Sequence, residues 1–65
     1  MNITYQRTLN RIHNLLQTKP FCDCGWRGEK AKHDIAEADV VDHLAAHHNM
    51  NRTDARKIAN NSPII

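Results

Sequence analysis

Two short stretches decide the fold of this chain: Phe21-Cys22-Asp23-Cys24-Gly25-Trp26-Arg27-Gly28 and His43-Leu44-Ala45-Ala46-His47-His48. Cys22 and Cys24 are separated by one residue, so on an extended strand both sulfurs point to the same face and can reach one ion. Gly25 follows directly, where a residue free to take φ > 0 lets backbone N–H groups turn toward the thiolates. His43 and His47 stand four apart, which on a helix aims two imidazoles at a common point. Two thiolates and two imidazoles complete a tetrahedral shell, and the softness of sulfur selects Zn²⁺ over harder ions. The expected ligand set is therefore Cys22, Cys24, His43 and His47 around one structural zinc. His48, one residue further on, is the alternative fourth ligand. His33 could replace either histidine, and His13 is expected on a helix surface.

Working outward, Phe21 to Glu29 is too interrupted by glycine for a helix and suits a tight hairpin, a zinc knuckle. From His33 or Asp34 the spacing is helical. Ala36, Val40, His43 and His47 form one stripe, and Val41, Leu44 and His48 a second, about 100° round the axis. Upstream, Tyr5, Leu9, Ile12 and Leu16 fall on one helical stripe, which predicts an amphipathic helix over 5–18 that stops before Pro20. Its stripe is expected to pack on Val41 and Leu44, or to pair with a second copy. Downstream, a short helix is expected over 51–60, with Asn51 as N-cap and Asp54 in the capping-box place. Residues 61–65 are expected to fray. The reading is a single small zinc-stabilised α+β domain: N-terminal amphipathic helix, short β-hairpin knuckle, metal-binding helix, short C-terminal helix.

Length and composition agree with the need for a metal. The 65 residues are 40% hydrophobic and only 5% aromatic, with Tyr5, Phe21 and Trp26 the only large rings. A chain of this size buries about 60% of its unfolded surface, which leaves the core alone marginal. Leu44-Ala45-Ala46 is the longest apolar run. That excludes a transmembrane helix or the core of a signal peptide, so an intracellular, cytoplasmic chain is expected. In that compartment the two cysteines stay reduced.

At this point the residues resemble a family. Cys22-x-Cys24 on a hairpin, the apolar Val40, and His43-x₃-His47 on a helix resemble the ββα Cys₂His₂ zinc fingers. Phe21 to Gly28 is similar to the Cys-x-Cys-Gly-Trp-x-Gly knuckle of small, mostly uncharacterised bacterial and phage finger proteins, for which the location would be the host cytoplasm. The resemblance covers residues 21–48. It departs from the common pattern in the single residue between the cysteines and in the longer interval before His43, which leaves room for Lys30 to His33 as an extra loop.

The resemblance implies nucleic acid as a partner, but the charge pattern argues against the usual docking. The net charge of +2 conceals +4 over residues 1–33, −4 over 34–48 and +2 over 49–65. In such fingers the helix positions that face base edges would here be Asp42, Asp39 and Ala36 or Ile35, none of which supplies the forks that read guanine or adenine. The balance tips toward a non-enzymatic regulatory module that binds a protein, or a second copy of itself, through Glu37, Asp39 and Asp42. The alternative is a DNA-binding regulator that contacts phosphates through Arg7, Arg11, Arg27, Lys30, Lys32, Arg52, Arg56 and Lys57. Neither a membrane nor a small-molecule substrate is expected, and with all four ligands committed to zinc an enzyme is not expected either.

Overall fold

The computed structural model describes residues 2–10 and 15–65. Its elements are β1 (Ile3–Asn10), β2 (Leu15–Cys22), α1 (His33–His47) and α2 (Arg52–Asn61). β1 and β2 form an antiparallel hairpin in which Ile3 faces Cys22, Tyr5 faces Pro20 and Leu9 faces Leu16. Past the second strand the chain turns back on itself, and bridges from Phe21 to Arg27 and from Thr18 to Ala31 lay the returning segment along β2.

The amphipathic helix expected over 5–18 is not formed: its described residues are strand, and Arg11, Ile12 and His13 lie outside the described residues. The physical reason is an ambiguity of period. Tyr5 and Leu9 share a face at helical spacing, yet they also share parity, so a strand satisfies them equally. Ile3, Thr4, Tyr5, Thr8, Thr18 and Phe21 are β-branched or aromatic, residues that favour the strand. In the hairpin register Leu9 and Leu16, two members of the helical stripe, stand directly opposite each other.

Pro20 is fully buried inside β2 although it has no N–H to donate. Its partner Tyr5 turns its own N–H and C=O away, to Pro63 and Ile65, while the Gly28 N–H donates to the Pro20 carbonyl (2.9 Å). The missing donor therefore falls on the side where the returning segment is irregular. Gly28 is required there, because a Cβ at that position would lie 2.5 Å from Pro20 Cγ and 3.0 Å from the Trp26 ring. Gly28→Ala is expected to cost about 1–3 kcal/mol through overpacking, read as a lowered melting temperature of the metal-loaded chain. An unchanged melt would show that the knuckle shifts freely.

The core lies between the inner face of the hairpin and the helices, and contains Ile3, Tyr5, Ala36, Val40, Val41, Leu44, Ala55 and Ala59. α2 packs against α1 and contributes Ala55 and Ala59 to the core, where the N-terminal helix was expected to pack. Asn51 caps α2, its side-chain oxygen accepting from the Asp54 N–H at 2.8 Å. The last residues do not fray. Beyond Pro63 the chain runs parallel to β1, with the Tyr5 N–H donating to Pro63 O and the Ile65 N–H to Tyr5 O. The Tyr5 hydroxyl, donating to the Ala59 carbonyl at 2.8 Å, ties the same strand to the end of α2. Burial and the nearby Glu37 carboxylate push this phenol far up, so it stays protonated and remains a donor.

Candidate metal centre

Two elements deliver the site. Cys22 is the last residue of β2, and the turn that follows is closed by the Gly25 N–H donating to Cys22 O (3.0 Å) and the Cys22 N–H donating to Trp26 O (2.9 Å). Gly25 sits at φ 100°, in the left-handed region that side chains avoid. This turn carries Cys24 round to the same side as Cys22. From the other direction, α1 presents His43 in its last turns and places His48 at its C-cap.

Cys22, Cys24, His43 and His48 each offer one donor atom, and all four atoms lie within 4.8 Å of one another. Cys22 Sγ is 3.6 Å from His48 Nε2, Cys24 Sγ is 3.5 Å from His43 Nε2, and the two Nε2 atoms are 3.2 Å apart. A tetrahedron with zinc-type bonds of about 2.3 Å to sulfur and about 2.0–2.1 Å to nitrogen has S···N edges of about 3.6 Å and an N···N edge of about 3.3 Å. These three spacings match the edges of such a shell. These residues could hold one metal ion, in a ββα-like frame of hairpin and helix consistent with a zinc finger.

The fourth donor brought into this cluster is His48, and the expected His47 stands outside it. The rings of His43 and His47 are 5.1 Å apart, but His47 is exposed and outside the donor cluster. Ideal helical geometry favours His47, which shares the stripe of His43; however, α1 ends there. His48 has left the helix (φ −115°, ψ 12°) and Asn49 follows in the left-handed conformation (φ 53°), a C-terminal position that suits asparagine. That unwinding brings the imidazole of His48 back over the helix end. His33 is also outside the donor cluster. Its Nδ1 is 3.0 Å from the buried Thr18 hydroxyl, its Nε2 is 2.9 Å from Glu37, and its ring makes a T-shaped contact with Tyr5.

The environment of the donors fits their task only once a cation is present. Burial pushes the Cys22 thiol up, against the pull of the Cys24 backbone N–H, and the neighbouring Cys24 and Asp23 raise it further. Such a thiol ionises when a metal replaces its proton. Burial and then the adjacent His48 and His47 hold His43 below its ordinary value. It is thus kept neutral, the form that ligates.

Trp26 is one of the three large rings of the chain. It packs at the core's edge and also stacks flat on His43, with ring centroids 4.1 Å apart and planes 9° from parallel. The Nδ1 of His43 is buried and has no hydrogen-bond partner among the described residues. A ligating imidazole is ordinarily oriented by a carboxylate or carbonyl on its other nitrogen; here the contact that fixes the ring plane is the stacking on Trp26. Trp26→Ala is expected to weaken metal affinity by about tenfold or more, the range found when outer supports of a ligand are removed. Competition titration against a zinc indicator measures it, and an unchanged affinity would confine Trp26 to packing.

Of the residues expected to meet a partner, Glu37 is engaged by His33 and Asp42 by Arg52 at 3.0 Å, while Asp39 lies beside Trp26 and His43. The exposed cations fall into separate groups. Arg27, Lys30 and Lys32 follow the knuckle, Arg7 is on β1, and Arg52, Arg56 and Lys57 line one side of α2. Arg11 lies outside the described residues. Among the described residues no helix is long and apolar enough to cross a membrane. No family model matches the chain, and no curated protein or solved structure matches it.

Proposed function

We propose that this chain is a non-enzymatic zinc-finger-like binding module, in which one structural Zn²⁺ fixes a small scaffold whose surface engages a macromolecule. The donor set carries the reading. Two sulfurs and two nitrogens drawn within 4.8 Å of one another supply the four donors of a structural zinc site, whereas catalytic zinc keeps one position for water or substrate. Thiols held ready for a metal suit a reducing compartment, so the reading places the chain in the cytoplasm.

Cobalt substitution tests the reading. The Co²⁺-loaded chain is expected to show the intense visible absorption of a tetrahedral S₂N₂ site, unaltered by azide or cyanide at concentrations that ligate open sites. A spectrum that shifts with added anion would mean an open position and return an enzyme to consideration. The acidic-helix mode of docking loses support, because two of its three carboxylates are already paired within the chain.

A further inference from the structure

The two faces of the hairpin differ in chemistry. Ile3, Tyr5, Thr18, Pro20 and Cys22 turn inward, and the links to the helices run through them: Tyr5 to Ala59, Thr18 to His33, Cys22 toward His48. By strand alternation the opposite face carries the cross-strand pairs Thr4–Phe21, Gln6–Lys19 and Thr8–Gln17. Arg27 joins them through its bridge to Phe21. The Phe21 ring is only partly buried, with Lys19 Nζ 5.8 Å and the Arg27 guanidinium carbon 6.0 Å from its centroid. β1 and β2 contain no Asp or Glu. The four carboxylates of residues 34–48 belong to α1, which packs on the inner side.

We propose that this outer face binds a single strand of nucleic acid, with Lys19 and Arg27 neutralising phosphates and Phe21 offering its ring to a base. The inference rests on the zinc-fixed scaffold of the preceding section and names its partner. Charge complementarity calls for a polyanion, since the face presents cations and no carboxylate of either strand. The aromatic ring between those cations selects among polyanions. A duplex keeps the flat faces of its bases stacked inside, whereas a single strand can lay a base on a side-chain ring and its phosphates on flanking cations. An acidic peptide would satisfy Lys19 and Arg27 but has no flat partner for Phe21. The hydroxyl and amide groups of Thr4, Gln6, Thr8 and Gln17 extend the face without adding repulsion.

The test uses the full zinc-loaded chain and fluorescence anisotropy with labelled dT12, a 12-base-pair duplex and an unstructured Glu-rich peptide, each at two salt concentrations. Tighter binding of dT12 than of the other two is expected. Phe21→Ala should weaken it about tenfold, as loss of one base-stacking ring does, and Phe21→Tyr should restore it. Lys19→Gln/Arg27→Gln should flatten the salt dependence by about 1.4 logarithmic units per decade of salt, the single-strand value for two phosphate contacts. This double variant carries the test alone if Phe21→Ala fails to fold. Zinc content and melting temperature are measured for every variant, so that a binding loss is separable from unfolding. The proposal is overturned if the folded, zinc-loaded chain does not bind dT12, if it prefers the peptide, or if binding ignores the hairpin substitutions and instead collapses in Arg52→Gln/Arg56→Gln/Lys57→Gln. Failure of the scaffold reading looks different: a zinc-free chain would keep both its cooperative melt and its binding.

Discussion

Stripping the metal with a strong chelator is expected to abolish the cooperative melt of this chain and most of its helical circular dichroism, and added Zn²⁺ is expected to restore both. Structural zinc in finger peptides provides about 10–16 kcal/mol of apparent binding free energy at neutral pH. Whole domains are stable by only about 5–15 kcal/mol. Among the described residues the buried core is small and alanine-rich, with Ala36, Ala55 and Ala59 among its members, so it is not expected to replace the metal's contribution. The same linkage sets the response to acid. His43 is held below its ordinary 6.5 in the folded chain, so near and below that value the unfolded chain binds the extra proton first. Its contribution is fully present above about pH 6.5 and is lost as pH falls through the folded value, with protons competing against zinc for the same nitrogen. A zinc-loaded melt that is flat from pH 7 to 4.5, or a cooperative melt surviving in chelator, would contradict the structural role of the metal.

How far the sequence could be read depended on how many geometries each pattern allowed. Cys22-x-Cys24 followed by glycine permits few arrangements, because both sulfurs must reach one side; the expected donor set and the observed cluster share Cys22, Cys24 and His43, although Cys24 stands in the turn and not on the strand. The apolar spacing of Tyr5, Leu9, Ile12 and Leu16 permitted two. Helix and strand place Tyr5 with Leu9 alike, and the β-branched neighbours Thr4, Thr8 and Thr18 were the signal that favoured the strand. The closure of the sheet edge by the chain beyond Pro63 left no local mark. It arises because α2 ends beside β1, where the unpaired N–H and C=O of Tyr5 and the N–H of Arg7 await partners. Trp26 is a large ring whose packing at the core's edge needs no special signal. Its stacking on His43 was not legible, since it depends on the knuckle turn and the absence of a side chain at Gly28.

His48→Ala is expected to reduce zinc affinity by at least about a hundredfold, beyond what loss of an outer support costs, while His47→Ala leaves it near the parent value. The contrast isolates the end of α1. An uninterrupted helix would carry His47 on the His43 stripe and direct His48 about 140° from it, so helical periodicity alone ranks the two residues the other way. What reverses the order is the chain leaving the helix after His47, with Asn49 at φ 53° completing the exit. His47 remains exposed, and surface substitutions of that kind stay within about 0.5 kcal/mol. Cobalt absorption of the two single variants and of His47→Ala/His48→Ala reads the ligand directly, because a three-ligand site loses the tetrahedral S₂N₂ spectrum. If His47 moves in to rescue His48→Ala, the double variant will fall well below it. Asn49 offers a control on the cause. Gly at that position tolerates the left-handed backbone and should preserve affinity, whereas Val is strained there and should weaken the site without touching any ligand. Loss of metal in His47→Ala with retention in His48→Ala would instead mean that α1 continues through His48 and that the ligands follow the helical stripe.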